Sequence, residues 1–158
     1  GKDIVFQTYE APSACQPALP EDAFAEEIAA SLKTCILPHI ENMPDTEFTF
    51  FFPPYSVLYW YNRYADGSLA AELAAEKQVV ETLLAYPNVK IYYFQDDFSY
   101  ITNFDNYCDY THYRHEMNDY MTECFAQDNC RLTLQNYNDV IDNMLSWAQR
   151  CDYQSYLP

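Results

Sequence analysis

An α/β fold with a small parallel sheet flanked by helices is what this sequence predicts, on three observations. Glu47-Phe-Thr-Phe-Phe-Phe52 reads as an aromatic-rich strand. Val89-Lys-Ile-Tyr-Tyr-Phe94 reads as a second. Between them Leu69, Leu73, Val80, Leu83 and Leu84 recur at the helical period. Strand, helix and strand within about fifty residues form a βαβ unit, whose parallel strands connect right-handed.

Taken in order, residues 1–20 hold the apolar run Ile4-Val-Phe6 and then three prolines without periodicity, which predicts a short strand or an extended arm. From Glu21, apolar side chains fall at Phe24, Ile28, Leu32, Cys35, Ile36 and Ile40, a helical stripe with acids in its first turn. Pro38 should end or kink that helix, because proline lacks the N–H and its ring crowds the preceding turn. Asn42-Met-Pro-Asp-Thr46 is a turn.

The first strand is apolar on both faces near its end, the mark of a central strand covered by helices. Pro53-Pro54 stops it. Tyr55–Tyr64 then forms a short helix or loop, and Ser68 is placed to cap the helix that Pro87 closes. After the second strand comes the aromatic loop Asn106–Tyr113, with a helix beginning near Tyr113 and carrying Met117, Tyr120, Met121, Cys124 and Phe125. Thr133 is the expected N-cap of a last helix through Tyr137, Ile141, Met144, Leu145 and Ala148, with Leu132 and Tyr137 as a hydrophobic staple. No internal repeat or low-complexity segment occurs, so residues 1–158 read as a single domain.

Composition excludes several functions. With 158 residues, 49% hydrophobic and 18% aromatic, the chain can build a core. The formal charge of −16, with only 8 Lys and Arg, would repel a phosphate backbone, so no nucleic acid is expected as a partner. The longest apolar run, Phe48 to Tyr61, is broken by proline and too short to insert into a membrane. Six cysteines in so acidic a chain point to an oxidising, exported compartment, with Cys124–Cys130 the best local disulfide and Cys15–Cys35 a further option. No Cys/His spacing fits zinc, and Asp96, Asp97 and Asp105 fit no calcium loop, so neither metal nor cofactor is expected. Gly1-Lys-Asp-Ile shows no basic region followed by an apolar stretch, so no signal peptide is read there.

Chemistry concentrates in Asn106-Tyr-Cys-Asp-Tyr-Thr-His-Tyr113. Asp109 stands three residues before His112 at a helix entrance, where a carboxylate can hold one imidazole nitrogen while the other faces a cleft. Ligands in open α/β sheets sit beyond the carboxyl ends of the strands, here Pro53–Ser56 and Gln95–Asp97. Tyr55, Ser56, Gln95, Asp96, Tyr110 and Tyr113 are therefore the expected cleft-lining residues. Pro-Pro-Tyr-Ser56 lacks the glycines of a nucleophile elbow, so Ser56 is read as loop structure. Cys108, beside a carboxylate, is a poor thiolate and no nucleophile.

The order Phe51-Phe-Pro-Pro-Tyr-Ser56, Tyr86-Pro-Asn-Val-Lys-Ile-Tyr-Tyr-Phe94, the Asp109–His112 block and Arg131-Leu-Thr-Leu-Gln-Asn136 resembles the C-terminal half of an SGNH/GDSL-type hydrolase domain of the bacterial cell envelope. The resemblance covers Phe24 to Trp147, and Asp109-Tyr-Thr-His-Tyr113 with Phe51–Ser56 is its most specific part. It implies a three-layer, flavodoxin-like fold, with Asp109 and His112 as the Asp–His part of a Ser-His-Asp triad. It also implies an acyl ester substrate, such as an acylated glycan outside the cell. The family's serine follows a glycine after the first strand, yet only Gly1 and Gly67 occur here and neither precedes such a serine. The chain is then part of a longer protein, or is completed from elsewhere, or keeps the fold as a non-catalytic carbohydrate-binding or interaction module.

Overall fold

A computed structural model describes residues 1–157. One sheet holds β1 (Phe48–Phe52), β2 (Val89–Tyr93) and β3 (Arg131–Leu132) in the order β1-β2-β3. β1 and β2 run parallel, from Phe48 opposite Val89 to Phe52 opposite Tyr93. β3 is antiparallel to β2 through Ile91–Leu132 and Tyr92–Arg131. The α/β class holds, but the expected all-parallel sheet is a mixed one.

Helices α4 (Val57–Ala65) and α5 (Leu69–Leu83) make the crossover from β1 to β2. Alternation along β2 sorts its side chains to two faces. Val89, Ile91 and Tyr93 join the main core with Leu58, Trp60, Leu73 and Val80, and with Ile141 and Met144 of α8 (Tyr137–Arg150). Tyr92 and Phe94 meet Met121 and Cys124 of α7 (His115–Gln127) on the other face. Each fully buried aliphatic side chain here contributes roughly 1.5–3 kcal/mol.

The structure corrects several expectations. The first strand was expected to be central, but β1 lies at the sheet edge, with Phe51 43% exposed, and β2 is the central strand. Residues 1–20 begin with a helix, α1 (Lys2–Thr8), because Val5 and Tyr9 share the one face that can be buried. The stretch that follows is extended and tied down by Gln16 N–H to Ala65 O and Leu19 N–H to Gly67 O, at 2.6 and 2.9 Å. Gly67 has φ +80, and a Cβ there would meet the Pro17 carbonyl oxygen at 2.2 Å, so only glycine fits.

Pro38 does not end its helix but sits where the regular α turn is interrupted. After α2 (Ala25–Ser31), a π turn at Leu32–Ile36 adds one residue, with Leu37 N–H donating to Leu32 O. The wider turn leaves room for the ring, and α3 (Leu37–Asn42) continues beyond it. Ser68 precedes α5 as expected, but its hydroxyl donates to Asp66 at 2.6 Å instead of capping the helix. The last helix starts later than Thr133: Asn136 is its N-cap, and its side-chain oxygen accepts the Thr133 N–H at 2.8 Å.

All six cysteines are free thiols, Cys124 and Cys130 included, so the expected disulfide is not formed in this structure. The two thiols are neighbours: burial pushes Cys130 up to about 11, with the adjacent Cys124 adding to the rise. We expect incubation with oxidised glutathione to remove two titratable thiols, and Cys124→Ser to prevent that loss. Six thiols persisting after oxidation would refute the pairing.

Candidate functional site

After β2 comes the short helix α6 (Phe98–Ile101), and the loop from there to α7 folds back on itself. Tyr107 and Tyr113 form an isolated antiparallel bridge, Cys108 N–H donates to His112 O at 2.8 Å, and Arg114 N–H donates to Asn106 O at 2.7 Å. Asp109 and His112 stand at the tip of this small hairpin, and α7 begins at His115, two residues later than expected. Tyr107, fully buried, anchors the base of the loop by donating its hydroxyl to Pro54 O at 2.7 Å.

At that tip, Asp109 Oδ1 accepts the backbone N–H groups of Thr111 and His112, both at 2.7 Å. Its Oδ2 lies 2.7 Å from His112 Nδ1. Partial burial alone would raise the Asp109 carboxyl, but the two N–H groups and the imidazole outweigh it and hold the group below the ordinary range. The carboxylate is therefore fixed in place and charged, and it selects the tautomer of His112 that carries a proton on Nδ1. The imidazole is 79% exposed, leaving Nε2 open.

His112 borders a pocket of about 360 Å³ at the carboxyl end of β1, lined also by Phe51, Pro53, Tyr55, Thr111 and Tyr113. Of the expected cleft-lining residues, Tyr55 and Tyr113 are there with His112. Ser56, Gln95, Asp96 and Tyr110 are not. Ser56 is fully buried and gives its hydroxyl to the Tyr110 carbonyl, a tie between the start of α4 and the hairpin. Tyr110 packs on Tyr9 with ring centroids 5.6 Å apart. Asp96 faces another pocket, with Asp128, Cys130 and Arg131. Burial raises its carboxyl.

Gln95 is buried beside an acidic network that sequence reasoning did not single out. Glu76 on α5 is buried and accepts the Tyr93 hydroxyl at 3.0 Å. One turn earlier, Glu72 accepts the Tyr59 hydroxyl, with Arg63 Nε at 3.9 Å. Burial pushes the Glu76 carboxyl up to about 8, the Glu72 charge adds to this, and the hydrogen bonds from Tyr93 and Gln95 oppose it. Tyr55 stacks on Tyr59 at 4.3 Å and stands between the network and the pocket. Its own hydroxyl is raised by burial and then by Glu72 and Glu76. The signal was present in the sequence: Glu76 interrupts the apolar stripe Leu69, Leu73, Val80, Leu83.

Among the described residues, no three His, Cys, Asp or Glu side chains are grouped to hold a metal ion, and no helix is long and apolar enough to cross a membrane. No protein-family model matches the chain, and no curated protein or solved structure matches it either.

Proposed function

We propose that these residues supply the acid–base half of an SGNH-like serine esterase, deacetylase or acyltransferase that acts on acyl groups of an exported envelope or extracellular glycan. The observation behind this reading is the Asp109–His112 pair, a carboxylate pinned by two backbone N–H groups and bonded to an imidazole at the rim of an aromatic pocket. In such a site His112 Nε2 takes the proton of a serine hydroxyl as the oxygen attacks the acyl carbon. It returns that proton to the leaving alkoxide, and Asp109 stabilises the imidazolium between the two steps. Ser56 is not that serine: its hydroxyl is buried and committed to Tyr110 O. The nucleophile would come from polypeptide outside the 158 residues.

One observation favours a second reading. The pocket walls are the rings of Phe51, Tyr55 and Tyr113, surfaces on which a sugar can stack, so a carbohydrate-binding module on the same fold is the alternative. In the complete protein, His112→Ala should lower turnover of an activated acyl ester by roughly 100-fold or more. Asp109→Asn should cost less, because the imidazole remains and only its tautomer is wrong. The isolated 158 residues should give no turnover. Undiminished turnover in His112→Ala would remove His112 from the mechanism, and no turnover by the complete wild-type protein would leave the binding module. Turnover by the isolated chain that disappears in Ser56→Ala would make Ser56 the nucleophile.

A further inference from the structure

β1 has the composition of a strand inside a sheet and the position of one at its edge. Four of its five residues are phenylalanine and none is charged. Strands left at an edge usually carry lysine, proline or a bulge, which discourage pairing with other chains. β1 has none of these between Phe48 and Phe52.

The register shows which backbone groups are left over. Phe48 N–H donates to Asn88 O at 2.8 Å, and Phe52 O accepts from Phe94 N–H at 3.1 Å, so the even-numbered residues face β2. The N–H and C=O groups of Thr49 and Phe51 therefore point away from the sheet. Among the described residues they have no hydrogen-bond partner, and both residues are exposed.

We infer that the free edge of β1 takes up an extended segment of another polypeptide, added as a fourth strand, β-forming in its middle and basic at its flanks. The backbone groups of Thr49 and Phe51 supply affinity that does not depend on side-chain sequence. Charge selects the partner. Asp45 and Glu47 precede the strand, and Lys90, opposite Thr49 on β2, is already bound to Glu47 at 3.0 Å. A second copy would bring another −16 to the same acidic margin, whereas a lysine at whichever end of an incoming strand lies beside the start of β1 would meet Asp45, which makes no ion pair among the described residues. The edge is short, so binding is weak, in the micromolar to millimolar range. The inference uses main-chain groups and stands apart from the role of His112.

The test uses an alternating Thr/Val peptide with a lysine at each end, followed by amide NMR on the 158-residue chain. Saturating peptide should slow hydrogen exchange at Thr49 and Phe51 by about tenfold or more and leave Phe50, already bonded to β2, unchanged. Thr49→Pro deletes one outward N–H without touching the ladder to β2, and should abolish the effect. Thr49→Lys, which keeps the N–H but charges the edge, should weaken binding and serves if the proline variant misfolds. The inference is overturned if the wild-type amides stay unprotected at millimolar peptide, or if protection survives in both variants. A glutamate-ended peptide binding equally well would remove the charge argument. Protection that grows with protein concentration alone would make the occupant a second copy and overturn it too.

Discussion

Unfolding free energy should fall as pH rises from about 5 to 8, and Glu76→Gln should remove most of that slope. Burial holds the Glu76 carboxyl at about 8, against an ordinary value of 4.5. Between those limits the native state keeps a proton that the unfolded chain releases, so stability decreases by up to ~1.4 kcal/mol per pH unit. Below the lower value both states are protonated and the full stability is present. Above about 8 both are ionised, and the fold holds a buried carboxylate at a cost of several kcal/mol. Glutamine has the same shape, still accepts from the Tyr93 hydroxyl, and never ionises. Its advantage over wild type should thus be small at pH 5 and largest at pH 8–9. Glu72 and Asp96 are also raised and add a shared slope to both proteins, so the difference is the informative quantity. Urea denaturation of both proteins across this range, under reducing conditions, provides the measurement. Parallel curves would show that Glu76 ionises in the fold as it does in water.

Trp60→Ala should destabilise the protein by about 3–5 kcal/mol, while Trp60→Phe should cost far less. Trp60 is completely buried and is among the largest side chains of the main core. Truncation to alanine opens a cavity in the main core, whose walls are held by the surrounding helices and cannot fully collapse into it. The indole Nε1–H has no hydrogen-bond partner among the described residues, so phenylalanine sacrifices volume but no bond, and it relieves a buried donor. Thermal unfolding of the three proteins separates the two effects. A phenylalanine variant as unstable as the alanine one would show that the N–H is satisfied, for example by a buried water.

What was legible in the sequence was local. The period of Leu69–Leu83 and the prolines at Pro53, Pro54 and Pro87 marked a strand, a helix and a strand, and β1, α5 and β2 formed where expected. Asp109 and His112 are three residues apart, a spacing that lets one tight loop bring them together, and in this hairpin they meet at 2.7 Å. β3 was missed because two residues cannot display an alternation, and its entry depends on positive φ at Asp128 and Cys130. Helix α1 was missed because a single buried turn, fixed by packing of Phe6 against Phe104, carries no long period.

The neighbours that complete a site are set by distance in space, which no spacing records. Gln95 and Asp96 are adjacent in the chain, yet their partners differ: Gln95 meets Glu76, and Asp96 lines a pocket with Cys130. Ser56 was a loop serine in the sequence, and only the approach of Tyr110, 54 residues later, occupied its hydroxyl. The chain alone thus determined which segments are strands and helices and which carboxylate meets which imidazole, because these depend on bonds between near neighbours. The tertiary structure decided which residues line the pocket, which strand is left at the edge and which glutamate keeps its proton, because burial belongs to the whole packed assembly and not to any segment of it.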